Sequence, residues 1–125
     1  MPIMNAIDRS HQLVMECYGS PGKWEENLQL AESGLREELE AHPQDSEVLT
    51  CLGAVLCDQG RFAEARDVLS KAIQCGSRDR NTYFNLAVAL LNTATHAQAK
   101  LMFGKSNTLV ASERTWQAYF DPMAH

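Results

Sequence analysis

The sequence predicts an all-α protein built from three stacked helical hairpins and a final helix. Small and apolar residues recur every 34 residues in two series. The series are Ala31, Ala65 and Ala99, and Leu35, Leu69 and Phe103. Within each period the apolar residues are three or four apart, as one face of an α-helix requires. The chain has only four Pro and seven Gly, too few for a chain rich in linkers.

The central unit, residues 46–79, is the clearest. Two apolar faces at helical spacing are separated by a turn at Gly60, which can take positive φ after the first helix. The first face is Leu49, Leu52, Gly53 and Leu56, and the second is Phe62, Ala65, Leu69, Ala72 and Ile73. Small residues at Gly53 and Ala65 should let the two helices pack closely.

This pattern resembles the tetratricopeptide repeat, a helix–turn–helix unit of about 34 residues. The resemblance covers most of the chain and rests on spaced apolar and small positions in each unit. They are Leu49-x2-Leu52-Gly53-x2-Leu56 with Ala65-x3-Leu69, Tyr83-x2-Leu86-Ala87-x2-Leu90 with Ala99-x3-Phe103, and, less completely, Ala31-x3-Leu35 with Pro43. It implies one domain, residues 1–125, folded as a right-handed superhelix. Repeat 1 would span about 5–43, repeat 2 46–79 and repeat 3 80–110.

The C-terminal stretch predicts a capping helix over residues 112–120. Ser112 is a favourable N-cap and Glu113 suits the first turn. Trp116, Tyr119 and Phe120 would form one aromatic face. Such a helix would cover the last hairpin, as terminal caps do in stacked repeats.

Composition and motifs exclude several classes of function. The net charge is −5, which does not suit binding to a phosphate backbone. No run of 18 apolar residues and no secretory signal occurs, so we expect a cytoplasmic protein that does not enter a membrane. The four cysteines are predicted to be small, buried, reduced thiols. No catalytic motif or metal-ligand spacing is present, so we expect no enzymatic activity, no cofactor and no metal.

The family resemblance implies a groove formed by the first helix of each repeat. Carried over position by position, it would be lined by Glu47, Thr50, Ala54, Cys57, Asp58, Asn81, Phe84, Val88, Leu91 and Asn92. Asn85 matches a position that some family members use to hold a peptide backbone or carboxylate. Phe84, Val88 and Leu91 would make the groove apolar, and Glu47 and Asp58 would make one end acidic. Either a partner's segment fills this groove, or Trp116, Tyr119 or Phe120 of the same chain competes for it.

These features predict a module that binds another protein. The ligand would be a peptide or helical segment with apolar anchors and a basic residue. Small three-repeat members of the family resemble secretion chaperones, so a chaperone of that type is the specific function we favour. Two alternatives stay open: a scaffold subunit that self-associates into a homo-oligomer, and an inhibitor or immunity-type protein.

Overall fold

The computed structural model describes residues 4–93 and 96–119. They contain six α-helices, one short 3-10 helix (Pro21–Lys23) and no strand, so the all-α prediction is confirmed for this part of the chain. The α-helices are α1 Ala6–Gly19, α2 Trp24–Ala41, α3 Ser46–Asp58, α4 Phe62–Gln74, α5 Arg80–Leu91 and α6 His96–Ser106.

The helices pack as three consecutive pairs. α1 packs on α2, α3 on α4 and α5 on α6, and the pairs join where α2 meets α3 and α4 meets α5. In addition, α3 contacts both α1 and α5. The first helices of the three pairs therefore lie side by side, and we call the surface they share the α1–α3–α5 face.

Short polar side chains fix the start of each first helix. The side chains of Asn5, Asp45 and Asp79 accept hydrogen bonds from backbone N–H groups of the first turns of α1, α3 and α5. These groups have no partner within the helix, so each cap stabilises its helix by about 1 kcal/mol. Gly60 has φ 76°, the left-handed conformation predicted for the turn between α3 and α4.

Helix α3 is the centre of the core. Every residue from 48 to 58 is buried, because α3 is covered by α2, α4 and α5 and by the segment that follows α6. A Cβ atom added to Gly53 would overlap the side chain of Leu69 on α4. The predicted need for a small residue at Gly53 is therefore confirmed.

A charged network joins the first pair to the second. The spacing of the glutamates along α2 predicts a solvated acidic face, but Glu32 lies at the junction and is only 13% exposed. Its carboxylate accepts hydrogen bonds from Arg36, Gln59 and Arg61. Burial acts to raise the pKa of Glu32, but these donors outweigh it and hold the pKa below its ordinary value.

The predicted capping helix is wrong for residues 112–119, none of which is helical, and Phe120 lies outside the described residues. After α6 the chain turns back, and the Arg80 side chain donates to the carbonyl oxygens of Ser106 and Leu109. The Arg80 backbone N–H also donates to Val110 O. These bonds direct residues 112–119, the C-terminal segment, onto the α1–α3–α5 face.

Candidate functional site

Asn85 holds the backbone of the C-terminal segment from two sides. Its Nδ2 donates to the carbonyl oxygen of Trp116 at 2.9 Å, and its Oδ1 accepts from the N–H of Ala118 at 2.8 Å. The Asn85 side chain is fully buried, so this pairing satisfies groups that would be costly to leave unpaired. The two bonds use only main-chain atoms of the segment, and they therefore do not depend on which side chains it carries.

Asp79 and Asn81 hold the start of the segment. Besides capping α5, Asp79 accepts hydrogen bonds from the Ser112 N–H (2.9 Å) and from the Thr115 hydroxyl. Asn81 Nδ2 donates to the same Thr115 oxygen at 3.0 Å. Thr115 is buried and its hydroxyl both donates and accepts, so this position favours a hydroxyl-bearing residue.

Helix α3 supplies an acidic contact at the side. Glu47 accepts from the Arg114 guanidinium at 2.8 Å and from the Ser112 hydroxyl at 3.1 Å. Arg114 is 51% exposed and Glu47 34%, so solvent screens this ion pair and it orients the segment more than it stabilises it. The Cys51 thiol donates weakly to Arg114 O at 3.8 Å.

Helix α1 supplies the aromatic contacts. The Trp116 ring stacks on His11 with centroids 4.5 Å apart and an interplanar angle of 8°, and only 4% of Trp116 is exposed. His11 Nε2 lies 3.0 Å from the Tyr119 hydroxyl, and the edge of Tyr18 meets the Tyr119 ring at 5.6 Å. Segment residues thus reach helices of all three pairs.

Burial sets the ionisation of the groups around the segment. Desolvation lowers the pKa of His11, and the nearby Asp8 carboxylate opposes it only partly, so His11 favours the neutral form. Burial raises the pKa of Cys57 to about 12, and it holds the pKa of Cys51 well above the ordinary value. Both thiols therefore stay protonated near neutral pH, a state that suits packing and not nucleophilic attack.

The groove residues predicted from the sequence have different environments. Glu47, Asn81 and Asn85 contact the C-terminal segment. Thr50, Ala54, Cys57 and Asp58 are buried within α3, and the Thr50 hydroxyl pairs with Thr82 at 2.6 Å.

The predicted apolar patch is not where the aromatic rings of the segment dock. Phe84 is half-buried and its ring meets Phe103 of α6 edge-on at 5.4 Å, so it contributes to packing within the third pair. Val88 packs against the core, and Leu91 is 40% exposed. The Asn92 side chain donates to Val88 O of its own helix.

Four residues of the site were not predicted: His11, Tyr18, Cys51 and Asp79. Their signals differ. His11 and Tyr18 are seven positions apart on α1, the spacing of one helical stripe, but the first unit lacks most of the repeat pattern and gave no register for its groove positions. Asp79 was identifiable only as a helix cap, and its contacts with Ser112 and Thr115 depend on the course of the chain after α6.

No family model matches the chain, and no curated protein matches it significantly. Among residues 4–93 and 96–119, no group of three or more His, Cys, Asp or Glu side chains is arranged to hold a metal ion. Within the same residues no helix is both long and apolar enough to cross a membrane. The chemistry of the site is therefore argued from its geometry, which is that of a surface holding an extended peptide backbone.

Proposed function

We propose that this chain is a protein-interaction module that binds an extended segment of another protein on its α1–α3–α5 face. We further propose that its three helix pairs are tetratricopeptide-type repeats in a right-handed superhelix, with this face on the concave side. The observation that carries the proposal is the pairing of Asn85 with Trp116 O and Ala118 N. A buried carboxamide that bonds both edges of an extended backbone can bind peptides of many sequences.

The charge around this face supports a protein ligand with a basic residue. Glu47 and Asp79 both contact the resident segment, and Arg114 is the segment's cation. A partner segment that carries Lys or Arg at this place would meet the same carboxylate. The interaction would be screened by salt, since both groups are partly exposed.

The proposal is tested by selecting random displayed peptides on the full chain carrying Ala118→Pro. This change removes the N–H that donates to Asn85 and leaves the face itself unaltered. We expect selected peptides to bind at least about tenfold more weakly when Asn85→Ala is added, because both backbone bonds are lost. Asn92→Ala is the matched control, since that side chain bonds only within its own helix in the described structure. Selected peptides that bind equally well with and without Asn85 would contradict the proposal.

Self-association through α6 is the second candidate function, favoured by one observation. Leu101 is 68% exposed beside a cavity of about 280 Å³ between α4, α5 and α6. A scaffold subunit should therefore show a mass that rises with concentration in light scattering. Leu101→Glu should abolish that rise, and a constant monomer mass would reject this candidate.

A further inference from the structure

The C-terminal segment occupies the α1–α3–α5 face in the way expected of a ligand. Its backbone is held at three separate places, by Asp79 at Ser112, by Cys51 at Arg114, and by Asn85 on both sides of residue 117. Each of these contacts goes to a main-chain atom of the segment. An extended segment from another molecule could therefore make all of them in its place.

The side chains of the segment define the spacing that such a competitor needs. Reading from residue 114, a basic residue meets Glu47, and a hydroxyl residue meets Asp79 and Asn81. An aromatic ring then stacks on His11. Next come an exposed residue, a small half-buried residue, and a second aromatic ring against His11 and Tyr18. The pattern is basic–hydroxyl–aromatic–any–small–aromatic.

The resident segment does not fill this face perfectly. The indole Nε1 of Trp116 is buried and makes no hydrogen bond with any described residue. A buried donor without a partner weakens docking relative to a ring that has no donor. Phenylalanine at the same place would keep the stacking on His11 and would leave no N–H unsatisfied.

Resting on the function proposed above, we propose that residues 112–119 are a displaceable resident occupant. The partner then supplies an extended segment with the same spacing and with Phe in place of Trp116. The resident segment excludes weak ligands because it belongs to the same chain. Its effective concentration at the face is on the order of 1 mM, as for a short tether. A probe with the same sequence makes the same contacts, so this concentration sets the lower limit of its apparent Kd.

The test uses fluorescein-labelled octapeptides and measures their binding to the full chain by fluorescence anisotropy. The probes are the sequence of residues 112–119, SERTWQAY, its Phe variant, SERTFQAY, and a scrambled octapeptide. The receptors are the wild-type chain, Ala118→Pro, which removes the bond to Asn85, and Gln117→Pro as matched control. Gln117 is exposed and its N–H makes no hydrogen bond to a described residue.

We expect SERTWQAY to bind Ala118→Pro at least about tenfold more tightly than it binds the wild type or Gln117→Pro, because the resident competitor is weakened. SERTFQAY should bind about fivefold more tightly than SERTWQAY to the same receptor. The scrambled probe should bind neither. Equal affinity of SERTWQAY for wild type and Ala118→Pro would overturn the displacement, and weaker binding of the Phe probe would overturn the specificity.

Three further outcomes separate this inference from the proposed function. If random peptides bind in an Asn85-dependent manner but compete with neither octapeptide, the function stands and the inference fails. If no peptide binds any receptor while far-UV circular dichroism shows intact helices, both fail. If the wild-type chain is a dimer and Ala118→Pro releases monomers, the occupant of the face is a second copy, which also overturns the inference.

Discussion

Asn85 contributes all of its side-chain hydrogen-bonding atoms and its main-chain oxygen to the core of the site. Its carboxamide pairs with the backbone at Trp116 and Ala118, and its carbonyl oxygen accepts weakly from the Cys57 thiol. The thiol stays protonated because burial raises its pKa to about 12, so it remains a donor over the whole physiological range. The amide is thus held from behind while it binds the segment in front.

His11 should make docking of the segment dependent on pH. Desolvation lowers its pKa in the docked state, whereas in the released state the ring is solvated and titrates near its ordinary value, about 6.5. Protonation therefore favours release: docking is fully stable above the ordinary pKa and weakens as pH falls through it toward the lowered one. The measurement is hydrogen exchange at the Ala118 amide, corrected for the intrinsic effect of pH, between pH 7.5 and 5.

His11→Gln is the control for this prediction. Glutamine has no titrating group, so the opening free energy of the Ala118 amide should no longer change across the same range. A pH dependence that survives the substitution would assign the effect to another group, such as Asp8, which also acts on His11.

The site residues could be predicted from the sequence only where the repeat gave a register. Asn81 and Asn85 belong to a unit whose pattern is nearly complete, and their positions follow from Leu86 and Leu90. His11 belongs to a unit whose first helix carries little of that pattern. Its role depends on a contact with Tyr119, 108 residues away, and no local pattern encodes a contact of that kind.

At the scale of elements, the contact between α3 and α4 depends on the absence of a side chain at Gly53. Gly53→Ala should lower the free energy of unfolding by about 1–3 kcal/mol, because the new methyl group meets the fully buried Leu69. Gly104→Ala in α6 is the matched control, since a Cβ there meets nothing within 4 Å. It should instead stabilise the chain by about 0.5–1 kcal/mol through helix propensity. Urea denaturation of both variants decides, and a stabilising Gly53→Ala would contradict this packing.

The helices were predictable to within a few residues, but the C-terminal segment was not. Ser112 carries the signal of a helix cap, and its hydroxyl indeed accepts from the Arg114 N–H, yet no helix follows. A helix of nine residues is marginal in water, whereas the extended form gains bonds from Asp79, Cys51 and Asn85. Tertiary contacts therefore outweigh a weak local preference, and these contacts are invisible in the segment itself.

At the scale of the whole molecule, the C-terminal segment joins helices that otherwise touch only their neighbours. Unfolding of a stacked array is governed by contacts between adjacent units, so end units open first. Here the first pair is also held by Trp116 and Tyr119 from the other end of the chain.

Releasing the segment should therefore loosen α1 as well as the segment. We expect Ala118→Pro to raise hydrogen exchange at Leu13 and Val14 by roughly fivefold, the effect of losing about 1 kcal/mol. Gln117→Pro should leave both amides unchanged. If exchange rises at residues 112–119 alone, the first pair does not depend on the segment, and this prediction is wrong.

The bond between His11 and Tyr119 also has a kinetic consequence. It closes a loop of nearly the whole chain, and such a contact is formed late because its closure entropy must first be overcome. A newly folded chain therefore exposes its α1–α3–α5 face before the C-terminal segment covers it. A partner present during synthesis meets an open surface, whereas one that arrives later must wait for the segment to leave.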